Sequence, residues 1–88
     1  MEIEFDPRND AANLAKHGVS LARAAEFDVK TSFRDTRFVD VRFLSFGLLD
    51  GLPHSLAYTL PRPGVMRAIS LRRAHLREYR RHVVEERD

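Results

Sequence analysis

The chain has 88 residues, no cysteine, and 15 Lys plus Arg against 13 Asp plus Glu, for a formal net charge of +2. A chain this short buries only roughly 60–65% of its extended surface, enough for one core and hence for a single domain over residues 1–88. Without cysteine there is neither a disulfide framework nor a thiolate metal site, and His17, His54, His75 and His82 show no metal-ligand spacing, so no metal and no cofactor are expected. No stretch approaches the roughly 20 apolar residues of a membrane span, and Met1-Glu2-Ile3-Glu4 is acidic rather than signal-like. A cytoplasmic protein that does not engage a membrane is expected.

Glu2-Ile3-Glu4-Phe5 alternates polar and apolar, which predicts a short strand. Asp6-Pro7 then supplies an N-cap with proline at the first helical position, and a helix follows from Pro7 to about Lys16 with Ala11, Leu14 and Ala15 turned inward. His17-Gly18 closes it, Gly18 taking the left-handed conformation. Ser20 caps a second helix, Leu21 to Phe27, in which Leu21, Ala24 and Ala25 form the packing face. From Val29 the period changes to two. Val29 to Phe33 is a weak strand, Phe38 to Leu49 a longer one, and Asp50-Gly51 is a hairpin signal because both residues tolerate positive φ. His54 to Leu60 pairs back, Pro61-Arg62-Pro63-Gly64 turns the chain, and Val65 to Leu71 completes a meander with Arg67 on the face of Val65, Ile69 and Leu71. Leu76, Tyr79 and Val83 then define a C-terminal helix that opens near Arg72 and Arg73, with Arg73, Arg77, Arg80 and Arg81 along its flank and Ser70 as its cap. The acidic tail Glu85 to Asp88 is expected to be mobile. The pattern is α+β: an N-terminal strand and two helices, an antiparallel sheet of three to four strands, and a C-terminal helix.

The charge is unevenly spread. Residues 62–82 hold seven Arg and one Glu, net +6, whereas residues 1–61 hold seven Lys plus Arg against nine acids, net −2. Such a polarised surface takes anions as partners. Thirteen of the 15 basic residues are arginine, whose planar donors match phosphate or carboxylate oxygens bidentately.

Three segments together, Phe5-Asp6-Pro7 with Asn13 and Lys16-His17-Gly18-Val19, then Arg42-Phe43-Leu44 with Gly47, then Arg67 to Ala74 with Glu78, resemble the BrnT toxins of bacterial type II toxin–antitoxin systems. The chain departs from the family pattern where it has Phe5 for a common Trp, Val41 for an acidic residue, and His82 near a Tyr. The resemblance implies a small RelE-like fold, RNA cleavage without a metal, and neutralisation by a BrnA-like antitoxin. It also implies a heterotetramer of two toxins and two antitoxins, with DNA reached only indirectly through the antitoxin.

Cleavage of RNA by its own 2′-hydroxyl needs a clamp on the phosphorane oxygens, a proton acceptor and a proton donor. Arginine suits the clamp, since preorganised charge is worth roughly 2.7–4 kcal/mol per donor. Arg67 and Arg72 are the expected clamp, the latter aided by the helix N-terminus, and Arg42 is the third catalytic candidate. A salt bridge from Arg67 to Asp40 is its structural alternative. Arg73, Arg77, Lys16, His17 and Glu78 are candidate contacts to RNA or antitoxin; His17 has the pKa of a general base but equally the place of a helix C-terminal cation. Glu78 is expected to pair with Arg77, Arg81 or His82, or to hold Arg42. Tyr58 and Tyr79 read as core residues, and His54 and His75 as solvated.

A pure docking module is the competing reading, binding an acidic antitoxin or a nucleic acid through the basic helix alone. That function needs only Arg73, Arg77, Arg80 and Arg81, and leaves Arg42, Arg67 and Arg72 unexplained. A DNA-binding regulator fits less well, because the two N-terminal helices are poor in Arg and Lys.

Overall fold

The computed structural model describes residues 1–84; the expected acidic tail, Glu85 to Asp88, lies outside them. The elements are β1 (Glu2–Glu4), α1 (Pro7–His17), a 3-10 helix (Leu21–Glu26), β2 (Asp28–Arg34), β3 (Phe43–Leu49), β4 (Leu52–Arg62), β5 (Val65–Arg73) and α2 (Leu76–His82). The strands form one mixed sheet in the order β1-β5-β4-β3-β2. β1 runs parallel to β5, and the other neighbours are antiparallel. The sheet therefore has five strands, not three to four, because the N-terminal strand joins the meander through Glu2, Ile3 and Glu4 opposite Val65, Met66 and Arg67.

Local chemistry explains most boundaries. Asp6 accepts a hydrogen bond from the Arg8 amide at 2.7 Å, and Gly18 closes α1 at φ 72° while its N–H bonds Leu14 O at 2.9 Å. The second helix is a 3-10 helix with three residues per turn, so Leu21 and Ala24 share its buried face and Ala25 is turned to solvent. Asp50 and Gly51 both take positive φ, 53° and 73°, and join β3 to β4. Gly47 is required by a close approach: a Cβ there would meet Asp28 O at 2.1 Å.

Several expectations are corrected. Residues 35–42 are a turn rather than the start of the long strand, which begins at Phe43. β4 runs on to Arg62, leaving the turn to Pro63-Gly64. β5 continues through Arg72 and Arg73, paired with Ser55 and His54, so α2 opens only at Leu76. Ser70 is thus a strand residue, and the cap position falls to His75, which makes no side-chain cap bond. His54 is buried rather than solvated, with Nδ1 2.8 Å from Leu52 O.

Alternation along the strands gives the sheet two apolar faces. Leu49, Leu56 and Leu71 pack with Val19, Leu21 and Ala24 on one face; Phe46 packs with Ala74, Tyr79 and Val83 on the other. The expected inward residues of α1, Ala11, Leu14 and Ala15, are exposed, and its buried residue is Asn13. The Asn13 amide donates to Val19 O and to Leu71 O, both at 2.8 Å, and its carbonyl accepts from Leu71 N at 3.1 Å. β1 is too short to pair with this part of β5, so the side chain does the work of a neighbouring strand.

Replacing Asn13 by Ala leaves the Leu71 N–H and C=O buried without partners. We expect a loss of about 2–4 kcal/mol, read in urea unfolding as a lower midpoint at unchanged slope.

Candidate active site

The face of the sheet that carries α2 holds an open cleft of about 600 Å³, within the range of ligand sites. Its floor comes from β2 to β5, where Phe33, Leu44, Ala57 and Ser70 lie in register across the sheet, with Phe46 and Ser55 in the next row. Four arginines line it: Arg34 at the end of β2, Arg37 and Arg42 in the turn that follows, and Arg72 from β5.

Arg72 is held by Glu78 from α2. Its Nη1 and Nη2 donate to Oε1 and Oε2 at 3.0 and 3.2 Å, and Nη1 also reaches Arg73 O at 3.1 Å. This bidentate pair sets the guanidinium in one orientation, and Arg72 holds the Glu78 carboxyl below its ordinary range. Glu78 therefore pairs with Arg72, not with Arg77, Arg81 or Arg42. Each partner is about one-third exposed, so the pair orders the site more than it stabilises the fold.

Arg42 Nε donates to Asp40 Oδ2 at 2.9 Å, and its guanidinium lies 4.2 Å from the Phe38 ring centroid. Asp40 is thus the partner of Arg42, and it supplies the turn with a carboxylate beside Val41. Asp35 is nearly buried and accepts two bonds from the Arg37 guanidinium, which pulls its pKa down to about 2.

Lys16 and His17 line a smaller depression together with Asn9, Ala12 and Asn13. Ile69 and Ser70 border both this depression and the cleft. They lie where β5 bulges against β4, in register between Ala57–Ser70 and Tyr58–Ala68. His17 is half-buried, and its pKa is lowered first by burial and then by the charges of Lys16 and Arg72. An imidazole with a lowered pKa and an ordered guanidinium therefore lie in neighbouring hollows that share Ile69 and Ser70 of β5.

Of the expected clamp, Arg72 lines the cleft and Arg67 does not. Arg67 stands opposite Glu4 in the β1–β5 register and bonds its carboxylate at 2.9 Å, sharing it with Arg62. It lines a separate depression with Phe5, Asp6, Pro7 and Asn9. Arg73 alternates to the other side of β5 from Arg72, and Arg77 is exposed on α2; neither lines the cleft. The N-terminus of α2 does not support Arg72, since the strand continues past it. Arg34, Asp35, Arg37 and Phe33 went unnoticed as site residues because the first 61 residues carry net negative charge on average, which hides a local triplet of arginines.

The fold is an α+β sheet flanked by helices, with four arginines lining the cleft on one face and His17 in the neighbouring depression. The chain belongs to the BrnT family: the model of the ribonuclease toxin BrnT of type II toxin–antitoxin systems matches residues 5–78. Membership brings with it a toxin with ribonuclease activity at the level of the family, and an antitoxin partner. Among solved structures, the Brucella abortus ribonuclease toxin BrnT, determined at 1.1 Å, is similar at 25% identity with a TM-score of 0.69, over 85% of this chain and 97% of that one. Among curated protein sequences none matches.

Removing the Arg72 cation should raise the pKa of both neighbours. We expect His17 to titrate below 6.5 in the wild type, and Arg72→Ala to move His17 and Glu78 upward together in an NMR pH titration. An unmoved His17 separates the two sites.

Proposed function

We propose that this chain is a metal-independent endoribonuclease toxin that cuts single-stranded RNA by attack of a 2′-hydroxyl on the adjacent phosphorus. The observation that carries the reading is that Ile69 and Ser70, at the β5 bulge, border both the depression of Lys16 and His17 and the cleft lined by Arg72. The scissile phosphate lies over that bulge. His17, kept neutral, takes the 2′-hydroxyl proton as O2′ bonds to phosphorus. Arg72, with Arg42 on the opposite wall, stabilises the added negative charge of the phosphorane, and Lys16 adds a positive charge on the other side. The P–O5′ bond then breaks and the leaving oxygen takes a proton from solvent water, giving a 2′,3′-cyclic phosphate and a 5′-hydroxyl, while His17 returns its proton to solvent. Glu78 positions Arg72. Cleavage of cellular RNA in the cytoplasm stops translation and growth.

The fold fits a RelE-like reading, with a sheet flanked by helices. A BrnA-like antitoxin, in a complex of two toxins and two antitoxins, would cover the cleft and use Arg73 and Arg77 outside it. The docking-only reading accounts for these exposed arginines but not for Arg72 locked to Glu78 inside the cleft.

The test is cleavage of labelled single-stranded RNA in excess EDTA, with analysis of product termini. Cyclic phosphate ends are expected, and Arg72→Ala should lose roughly 100-fold or more in kcat. Arg67→Ala, which breaks only the Glu4 pair, should cost far less; the reverse order would move the clamp to the β1 side. The rate should fall as pH drops through the pKa of His17, which burial and the charges of Lys16 and Arg72 hold below the ordinary histidine value, because the base is then protonated, and His17→Ala should flatten that limb of the profile. No cleavage by folded protein would favour docking alone.

A further inference from the structure

The ribonuclease reading uses the arginines of the cleft and leaves its rings unexplained. Three of them form one stack. The His82 imidazole lies 4.6 Å from the Phe46 ring at an interplanar angle of 7°, and 5.1 Å from Phe33 at 27°. Phe33 and Phe46, neighbours on the sheet, are 6.3 Å apart and also stacked. Phe46 is 1% exposed, Phe33 is 37% exposed, and His82 is open to solvent. All three line the cleft.

The stack is built in. Tyr79 and Val83 pack α2 against Phe46, which fixes the helix over the sheet. Glu78, bonded to Arg72, fixes its rotation from the β5 side. His82 follows Glu78 by one turn, so the contact that orders the guanidinium also lays the imidazole flat on Phe46. A small domain that buries Phe46 has no need of a second exposed Phe and an exposed imidazole in the same cleft. An exposed ring tier beside arginines is the arrangement by which single-stranded nucleic acid is held: the guanidinium takes phosphate and the ring takes the flat face of a base. Among charged lining residues the cleft has Arg34, Arg37, Arg42 and Arg72 against Asp35 and Glu78, so an anionic ligand is favoured. An acidic peptide would satisfy the arginines but gives the stack nothing to do.

We infer that the His82–Phe33 tier is a nucleobase-stacking platform, which takes an unpaired base next to the phosphate held by Arg72 and restricts the substrate to single-stranded RNA. This deepens the ribonuclease reading and rests on it for the identity of the strand. His82 acts here through its flat face and not through its proton.

The test uses the full chain and a 2′-O-methyl single-stranded oligonucleotide, which cannot be cut, with 2-aminopurine moved along it. Quenching at one position is expected on the wild type. His82→Leu should weaken binding about 5- to 100-fold and remove the quenching, and KM for cleavable RNA should rise in proportion. His82→Phe, which keeps the ring and loses the titratable nitrogen, should retain binding and quenching. Phe33→Leu, a half-exposed site away from Arg72, should behave as His82→Leu, and far-ultraviolet circular dichroism checks that each variant is folded. Unchanged affinity in His82→Leu and Phe33→Leu, or absence of quenching at every position, overturns the platform even if the wild type cleaves RNA. Loss of binding in His82→Phe equal to that in His82→Leu also overturns it, since the proton would then be what matters. Weakened binding of the antitoxin but not of RNA would make the tier a protein-docking surface. Quenching that depends on the ring, in a protein that cuts no RNA, leaves the platform standing and removes the ribonuclease.

Discussion

The side chain of Asn13 is the interaction on which the arrangement depends. It bonds both peptide groups of Leu71 and the carbonyl of Val19, so one amide ties helix α1, the turn after it and strand β5 together. Those backbone groups lie where β5 has outrun the three-residue β1, and an unpaired peptide group in a buried position costs about 1–3 kcal/mol. His17 follows Asn13 by one helical turn. The bond that closes the sheet edge therefore also sets the imidazole beside Ser70 and within electrostatic reach of Arg72.

A second constraint acts from the other face. Arg72 and Glu78 meet through two parallel hydrogen bonds, and Tyr79 and Val83 bury their bulk against Phe46. α2 is short, and by itself would be marginal in water. Its place is decided by packing and by that ion pair, and both the guanidinium and the His82 ring inherit their orientation from it. The cleft is thus assembled from a strand pinned by Asn13 and a helix pinned by Glu78.

Much of the site was legible because its signals are local. Lys16-His17-Gly18 at the end of a capped helix was visible as sequence, and Arg42 and Arg72 stood out as cations there, although Arg42 read as part of the strand Phe38 to Leu49 and Arg72 as the opening of the last helix. What misled was the element boundary after Leu71: period-two alternation and helical spacing overlap in Ser70-Leu71-Arg72-Arg73-Ala74, and the pairing of Arg72 with Ser55 and Arg73 with His54 resolved it in favour of the strand. The same local view set Arg67 beside Arg72 as a clamp. They are five residues apart on one strand, on the order of 15 Å, and a parallel partner that brings Glu4 to Arg67 cannot be read from periodicity.

The sequence by itself determined the class of the protein: an α+β chain, its turns at Gly18 and Asp50-Gly51, an arginine-rich composition and the motifs of the BrnT family. Those follow from backbone preferences, side-chain period and charge, which act over a few residues. Only the tertiary structure decided which arginine faces which acid, that Asn13 rather than Leu14 is buried, and that Phe33, Phe46 and His82 stack. These depend on strand order and register, which bring together residues far apart in the chain through hydrogen bonds that no local pattern encodes.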